Sequence, residues 1–192
     1  ILGMLIKDFG TEEQKKKYVT PLARGRFLGS FCLTEPGAGT DMMAAATTAV
    51  RDGDHYVING TKTFISNGPF ADMYLVFCWT DRAAGRKGMS ALIVPKGTPG
   101  LRPGVPFRKT GLRSSQTSEV FFRDCPVPRE NLLGDEGRGI PMAMIGLDHA
   151  RIGAAAVSVG ILQAALDESI RYSKERVQFG NPIARQQADA WV

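Results

Sequence analysis

The sequence predicts an α+β protein, with a mostly antiparallel β-sandwich or small barrel flanked by helical segments. Three observations carry this. Apolar residues recur at helical spacing up to about residue 27. From about 28 to 123 the period becomes two, and after about 131 it returns to that of a helix. Helices do not alternate with the strands, which excludes the doubly wound parallel sheet of the usual dinucleotide fold.

The opening segment is helical. Thr11-Glu12-Glu13-Gln14 fits a capping box, Tyr18, Leu22 and Ala23 form a short apolar face, Pro21 kinks or restarts the helix, and Arg24-Gly25 ends it. In the middle, His55-Tyr56-Val57-Ile58, Tyr74-Leu75-Val76-Phe77 and Ala91-Leu92-Ile93-Val94 have the length and composition of strands. Asp52-Gly53, Asn59-Gly60, Asn67-Gly68 and Thr98-Pro99-Gly100 separate them as turns. After Pro126-Val127-Pro128 and the loop Gly134-Asp135-Glu136-Gly137, Pro141 suits the first turn of a long helix that ends at Gly180-Asn181-Pro182. Gly146, Gly153 and Gly160 fall seven apart on that helix and suggest close approach of a neighbour. The expected divisions are 1–27 helical, 28–130 β and 131–192 the start of a helical bundle. Because the chain opens without an initiator Met and stops within a helical pattern, it reads as a segment of a longer protein.

Composition narrows the function. A 192-residue chain that is 43% hydrophobic and 22% charged is ordinary globular material. No apolar run approaches the roughly 20 residues of a bilayer span; the longest, 154–166, is broken by Ser158, Gly160 and Gln163. The net charge of +5 favours anionic ligands, but aromatics are not interleaved with the basic residues, which argues against nucleic acid. Cys32, Cys78 and Cys125 are widely spaced and read as buried thiols, and two histidines cannot furnish a His-rich metal site.

Two stretches carry chemistry. Residues 31–41, FCLTEPGAGTD, run from a strand into a turn where Gly37 and Gly39 leave backbone N–H groups accessible to an anion, with Thr34 and Thr40 adding hydroxyls and Asp41 placed to cap the next segment. Neither a Walker phosphate loop nor G-x-G-x-x-G is present. In residues 60–68, GTKTFISNG, Phe64 and Ser66 share one face of a strand, a pattern that would stack a planar ring and hydrogen-bond its edge, or equally place a core Phe beside a turn Ser.

These stretches, with Gly111-Leu112-Arg113-Ser114-Ser115, Leu147-Asp148-His149-Ala150-Arg151 and Glu175-Arg176-x-x-Phe179-Gly180, resemble the acyl-CoA dehydrogenase family in content and order over essentially the whole chain. The resemblance implies FAD as cofactor and an acyl-CoA thioester as substrate, dehydrogenated at the α,β carbons. By position, Phe31, Leu33 and Thr34 would line the flavin, Phe64 would shield one face of its ring system with Ser66 near N5, and Gly39 and Ile65 complete that set. Thr40 would lie where flavin phosphate and acyl-CoA meet. Asp148, His149, Ala150 and Arg151 would run beside CoA. Arg176, Val177, Gln178 and Phe179, with Gln186 and Gln187, would reach the flavin of a neighbouring subunit, so the resemblance implies a homo-oligomer, dimer or tetramer. It further implies an electron-transfer flavoprotein as acceptor and a bacterial cytoplasm or mitochondrial matrix.

Many members have Trp and Thr where this chain has Phe64 and Ser66, which alters flavin packing without removing it. Some carry the catalytic Glu immediately before the equivalent of Arg151; here that residue is Ala150. The base is therefore expected in a late loop after Val192, and the segment alone is expected to be inactive. An acyl-CoA oxidase or flavin monooxygenase on the same scaffold, and a catalytically silent flavin- or CoA-binding module, are the alternatives.

Overall fold

A computed structural model describes residues 1–186. The chain forms two compact units, residues 1–147 and the residues from 148 on.

The first unit opens with α1 (Leu2–Phe9), whose Leu2, Leu5 and Ile6 are buried. The capping box is present: Gln14 N donates to Thr11 Oγ1 at 3.2 Å and Thr11 N to Gln14 Oε1 at 3.1 Å. It starts α2 (Glu12–Gln14), which widens into a π-helical turn at Lys15–Val19 before α3 (Thr20–Ala23). The widening directly precedes Pro21, which has no N–H to give and whose ring crowds the carbonyl four residues back. Gln14 Nε2 donates to the carbonyls of Glu130 and Leu132 at 2.7 and 2.8 Å, tying this helical run to the end of the β region.

The β region comprises β1 (Gly29–Cys32), β2 (Thr48–Asp52), β3 (His55–Ser66), β4 (Met73–Trp79), β5 (Met89–Pro95), β6 (Leu101–Pro103) and β7 (Thr117–Pro128). They form one sheet in the order β1-β4-β2-β3-β7-β6, with β5 also on β4. Most pairs are antiparallel. The exceptions are β1 with β4, parallel from Gly29↔Met73 to Cys32↔Val76, and a parallel bridge between Thr48 and Trp79. These partners are not consecutive in the chain, so no hairpin turn dictates their direction. Asn59-Gly60, expected as a turn, instead lies within β3, where the pairing with β7 slips between Ile58 and Gly60 and absorbs the residues without reversing the chain.

All seven residues of β4 are buried. Met73, Leu75, Phe77 and Trp79 face a core shared with Leu5 and Ile6 of α1 and with Ile140, Met142 and Ala143. Tyr74, Val76 and Cys78 face a second core with Tyr56, Ile58, Val120 and Val127. An unbroken apolar run is the pattern of a strand covered on both faces. The three thiols are buried and unpaired; burial pushes Cys32 and Cys78 up to about 12 and Cys125 up to about 11. Tyr56 donates its hydroxyl to Glu136, and burial, then that carboxylate, raise the phenol to about 12.

Gly100 turns β5 toward β6 at φ +78°, and a Cβ there would lie 2.1 Å from the Arg123 carbonyl oxygen. Gly100→Ala is expected to lower stability by about 1–3 kcal/mol, since the left-handed backbone and the clash act together. Urea unfolding measures it; an unchanged midpoint would mean that the β6–β7 pairing yields freely.

The long helix α4 (Gly139–Glu175) begins in the first unit and continues in the second. Its end corrects the sequence reading. It stops at Glu175, and residues 177–182 form a hairpin of β8 (Val177–Gln178) and β9 (Asn181–Pro182) around Phe179 and Gly180, at φ +51° and +77°. Two successive positive φ values make a type I′ turn, which outweighs the helical spacing of the apolar residues. Of the glycine stripe only Gly146 is explained by packing, because a Cβ there would meet Ile1 and Leu5 at 2.9 and 3.1 Å, whereas one at Gly153 or Gly160 meets nothing within 4 Å. By length and composition α4 could also cross a bilayer, contrary to the expectation from uninterrupted apolar runs. Its small and polar interruptions leave the average apolar without forming a continuous stretch.

Candidate functional site

The stretch 31–41 begins as β1 and leaves the sheet after Cys32. Glu35 and Ala38 exchange backbone hydrogen bonds of 2.9 and 3.1 Å, closing a tight turn over Pro36-Gly37. Asp41 accepts from Met43 N at 3.0 Å and caps a short 3₁₀ turn, as its position predicts. Gly37 and Gly39 have negative φ, and a Cβ at either would meet nothing within 4 Å. The fold itself therefore does not require glycine at these two places; they leave the loop open to something outside the chain.

Residues 60–68 lie on β3, where the pairing with β7 slips between Lys62 and Ile65. The bulge buries Lys62 and Thr63 in succession and sets Phe64 at φ +56°, with the residue 68% exposed. A positive φ on an aromatic residue is strained and persists only where the surroundings enforce it. The Phe64 ring meets that of Phe107 edge-on, at 5.6 Å between centroids. Ser66 is exposed beside it.

The two stretches meet at one cavity of about 500 Å³ in the first unit, lined by Phe31, Leu33, Thr34, Phe64, Ile65 and Ser66. Leu2 and Leu22 from the helical run also border it, and among the described residues no carboxylate or imidazole does. Phe31 is braced from behind by Phe77, with centroids 4.9 Å apart. Thr34 is held by its carbonyl, which accepts from Thr63 N at 2.9 Å. Gly39 and Thr40 are exposed and lie outside this lining. Six of the residues named from the sequence are thus brought together, by strand alternation and one bulge.

The residues named on the CoA and cross-subunit side belong to the second unit. Asp148 and Arg151 are exposed and form an i,i+3 ion pair of 2.6 Å, and Ala150 leaves no carboxylate before Arg151. His149 is exposed on the same helix. Arg176, Val177, Gln178 and Phe179 are exposed at the base and tip of the β8–β9 hairpin, Phe179 at 95%. Ile183 N donates to Arg176 O at 2.9 Å and closes that hairpin. Gln186 is exposed; Gln187 lies outside the described residues. Among the described residues no cluster of acidic, His and Cys side chains could hold a metal ion.

Sequence reading missed one feature. Lys62 and Glu35 form a buried ion pair of 2.7 Å, with side-chain exposures of 0% and 6%. Lys62 Nζ also donates to the Leu33 carbonyl at 3.0 Å, and the Glu35 carboxylate accepts from Ala46 N at 2.6 Å and Thr47 N at 3.1 Å. Burial alone would raise the Glu35 carboxyl, but the Lys62 charge and the hydrogen bonds from Lys62, Thr47 and Ala46 hold it below the usual range. Each residue sits inside a motif read for other reasons, and no local pattern joins two residues 27 apart.

Against this geometry, residues 30–125 match the model of the acyl-CoA dehydrogenase middle domain and residues 137–191 that of the acyl-CoA dehydrogenase C-terminal domain. The chain belongs to the acyl-CoA dehydrogenase family. It is 51% identical over 192 residues to a short-chain specific acyl-CoA dehydrogenase of Clostridium acetobutylicum, covering 100% of this chain and 51% of that relative. The structure of butyryl-CoA dehydrogenase from Megasphaera elsdenii superposes with a TM-score of 0.95 at 47% identity, over 98% of this chain and 50% of that one. A structure of PigA with FAD and proline gives a TM-score of 0.93 at 34% identity, over 97% and 49%. The chain therefore spans about half the length of the relatives it matches.

Proposed function

We propose that the protein carrying this chain dehydrogenates a short-chain acyl-CoA to the trans-2-enoyl-CoA, with FAD as cofactor. The observation that carries the reading is Phe64, an exposed aromatic held at φ +56° over a cavity that also presents Thr34 and Ser66. Such strain makes sense where a planar ligand covers the ring. The residues fit FAD by their chemistry: apolar Phe31, Leu33 and Ile65 for a fused ring system, hydroxyls of Thr34 and Ser66 for its polar edge, and the open Gly39–Thr40 backbone for phosphate oxygens. Arg176 suits a pyrophosphate through charge-assisted hydrogen bonds. With Val177, Gln178, Phe179, Gln186 and Gln187 it would serve the flavin of a neighbouring subunit in a homo-oligomer.

FAD, when bound, supplies the hydride acceptor. This chain's part is to bind and orient. The lining side chains would exclude water from the ring face, Ser66 would offer a hydrogen bond to the ring's polar edge, and Asp148, His149, Ala150 and Arg151 would serve the CoA portion, Arg151 with a charge suited to its phosphates. Removal of the α-proton requires a base near the α-carbon, and among the described residues no carboxylate lines the cavity. We assign that base to a Glu beyond Val192. The acceptor we propose is an electron-transfer flavoprotein. The butyryl-CoA and short-chain names of the relatives support a short acyl chain.

The test is FAD binding and butyryl-CoA turnover by the full-length protein and its Phe64→Ala variant. The variant is expected to bind FAD about 2- to 10-fold more weakly, from a stacking contribution of about 0.5–1.5 kcal/mol. A wild-type protein that purifies colourless and takes up no added FAD would sink the reading and favour a silent module. Rapid reoxidation of the substrate-reduced enzyme by oxygen would point to an oxidase instead.

A further inference from the structure

We infer that the buried Lys62–Glu35 pair is a positioning element of the flavin-facing wall, setting the spacing between the Thr34 turn and the Phe64–Ser66 strand. The inference rests on the function proposed above. Lys62 sits two residues before Phe64, directly at the bulge that gives Phe64 its positive φ. Its ammonium reaches the other stretch at two points, the Leu33 carbonyl at 3.0 Å, just before Thr34, and Glu35 Oε1 at 2.7 Å, just after it. The second Glu35 oxygen accepts from Ala46 N at 2.6 Å, and the Oε1 that meets Lys62 also accepts from Thr47 N at 3.1 Å. The carboxylate thus gathers both ends of the loop carrying Gly37, Gly39 and Thr40. A single direct backbone bond, Thr63 N to Thr34 O at 2.9 Å, joins the strand and the turn beside the ion pair.

Such a pair is a costly way to fill space. Two apolar residues of similar volume would stabilise the fold as well or better, because both charges have lost their water. What an apolar pair cannot do is fix direction. Lys62 grips one carbonyl lone pair and one carboxylate oxygen at defined distances, and the carboxylate in turn orients two amides. Functional groups hold their geometry only when supporting hydrogen bonds lock them. Neither Lys62 nor Glu35 lines the cavity, so the pair acts through Thr34, Phe64 and Ser66.

The experiment uses the full-length protein and two variants, Lys62→Arg, which keeps the charge but not its geometry, and the charge-free double variant Glu35→Gln/Lys62→Met. FAD dissociation constants, the flavin absorption spectrum and hydrogen exchange of the 34–47 amides in FAD-free protein are compared with wild type. Folded variants are expected to bind FAD on the order of tenfold more weakly, with an altered flavin spectrum and faster exchange of those amides. Where one variant fails to fold, the other decides. Folded variants whose FAD affinity stays within about twofold of wild type, with unchanged exchange, would overturn the inference. If wild type takes up no FAD, the proposed function fails, and exchange of the 34–47 amides alone then decides whether the pair sets this loop.

Discussion

Lys62→Met should lower the stability of the folded protein by about 3–5 kcal/mol, the cost of leaving a buried carboxylate without its partner. The Met side chain fills nearly the same space, so the loss is electrostatic. Glu35 would keep the Ala46 and Thr47 amides but lose the ammonium. Adding Glu35→Gln to the same chain should recover most of the loss, since no unpaired charge then remains. The pair also makes stability depend on pH. Glu35 titrates below its ordinary value of 4.5 in the folded state, so its contribution is fully present above the unfolded value and is lost as pH falls through the folded one. Lys62→Met should flatten that acid limb. Urea unfolding at neutral pH and across the acid range measures both effects; an unchanged midpoint would mean that water reaches Glu35 and the pair is not truly buried.

The second large effect concerns the missing base. The 192-residue chain by itself should form no enoyl-CoA above background when supplied with FAD and butyryl-CoA, whereas the full-length protein should turn over. A positioned general base contributes about 10²- to 10⁴-fold to such a step, and among the described residues none that lines the cavity could supply one. Asp148 is engaged with Arg151 at 2.6 Å on an exposed helix face and is a poor substitute. Single-turnover flavin bleaching read by absorbance separates binding from chemistry. Steady enoyl-CoA production by the isolated chain would place the base among residues 1–192.

Both effects turn on carboxylates, and the sequence treated the two unequally. Ala150 before Arg151 excluded a carboxylate base at that one helix position, and this could be read from the sequence alone. Glu35 and Lys62 each lie inside one of the two stretches, 31–41 and 60–68, and neither is singled out there. Nothing in a local pattern indicates that two residues 27 apart share a buried site. The same limit applies at 177–182, where apolar spacing suggested continuing helix and only the backbone of Phe179 and Gly180 revealed a hairpin.

Short-range pattern was sufficient for much of the molecule. The capping box at Thr11, the turns at Asp52-Gly53 and Asn67-Gly68, the helix from the 139–141 region onward and the pairing of Phe64 with Ser66 on one face all depend on residues within a few positions of each other. The parallel partner of β1, the bulge that strains Phe64 and the ion pair beneath the turn came from the assembled fold and from nowhere else. Alternation records which side of a strand is buried. It does not record which strand lies alongside, in which direction, or where the register slips, because those are settled by contacts between segments distant in the chain.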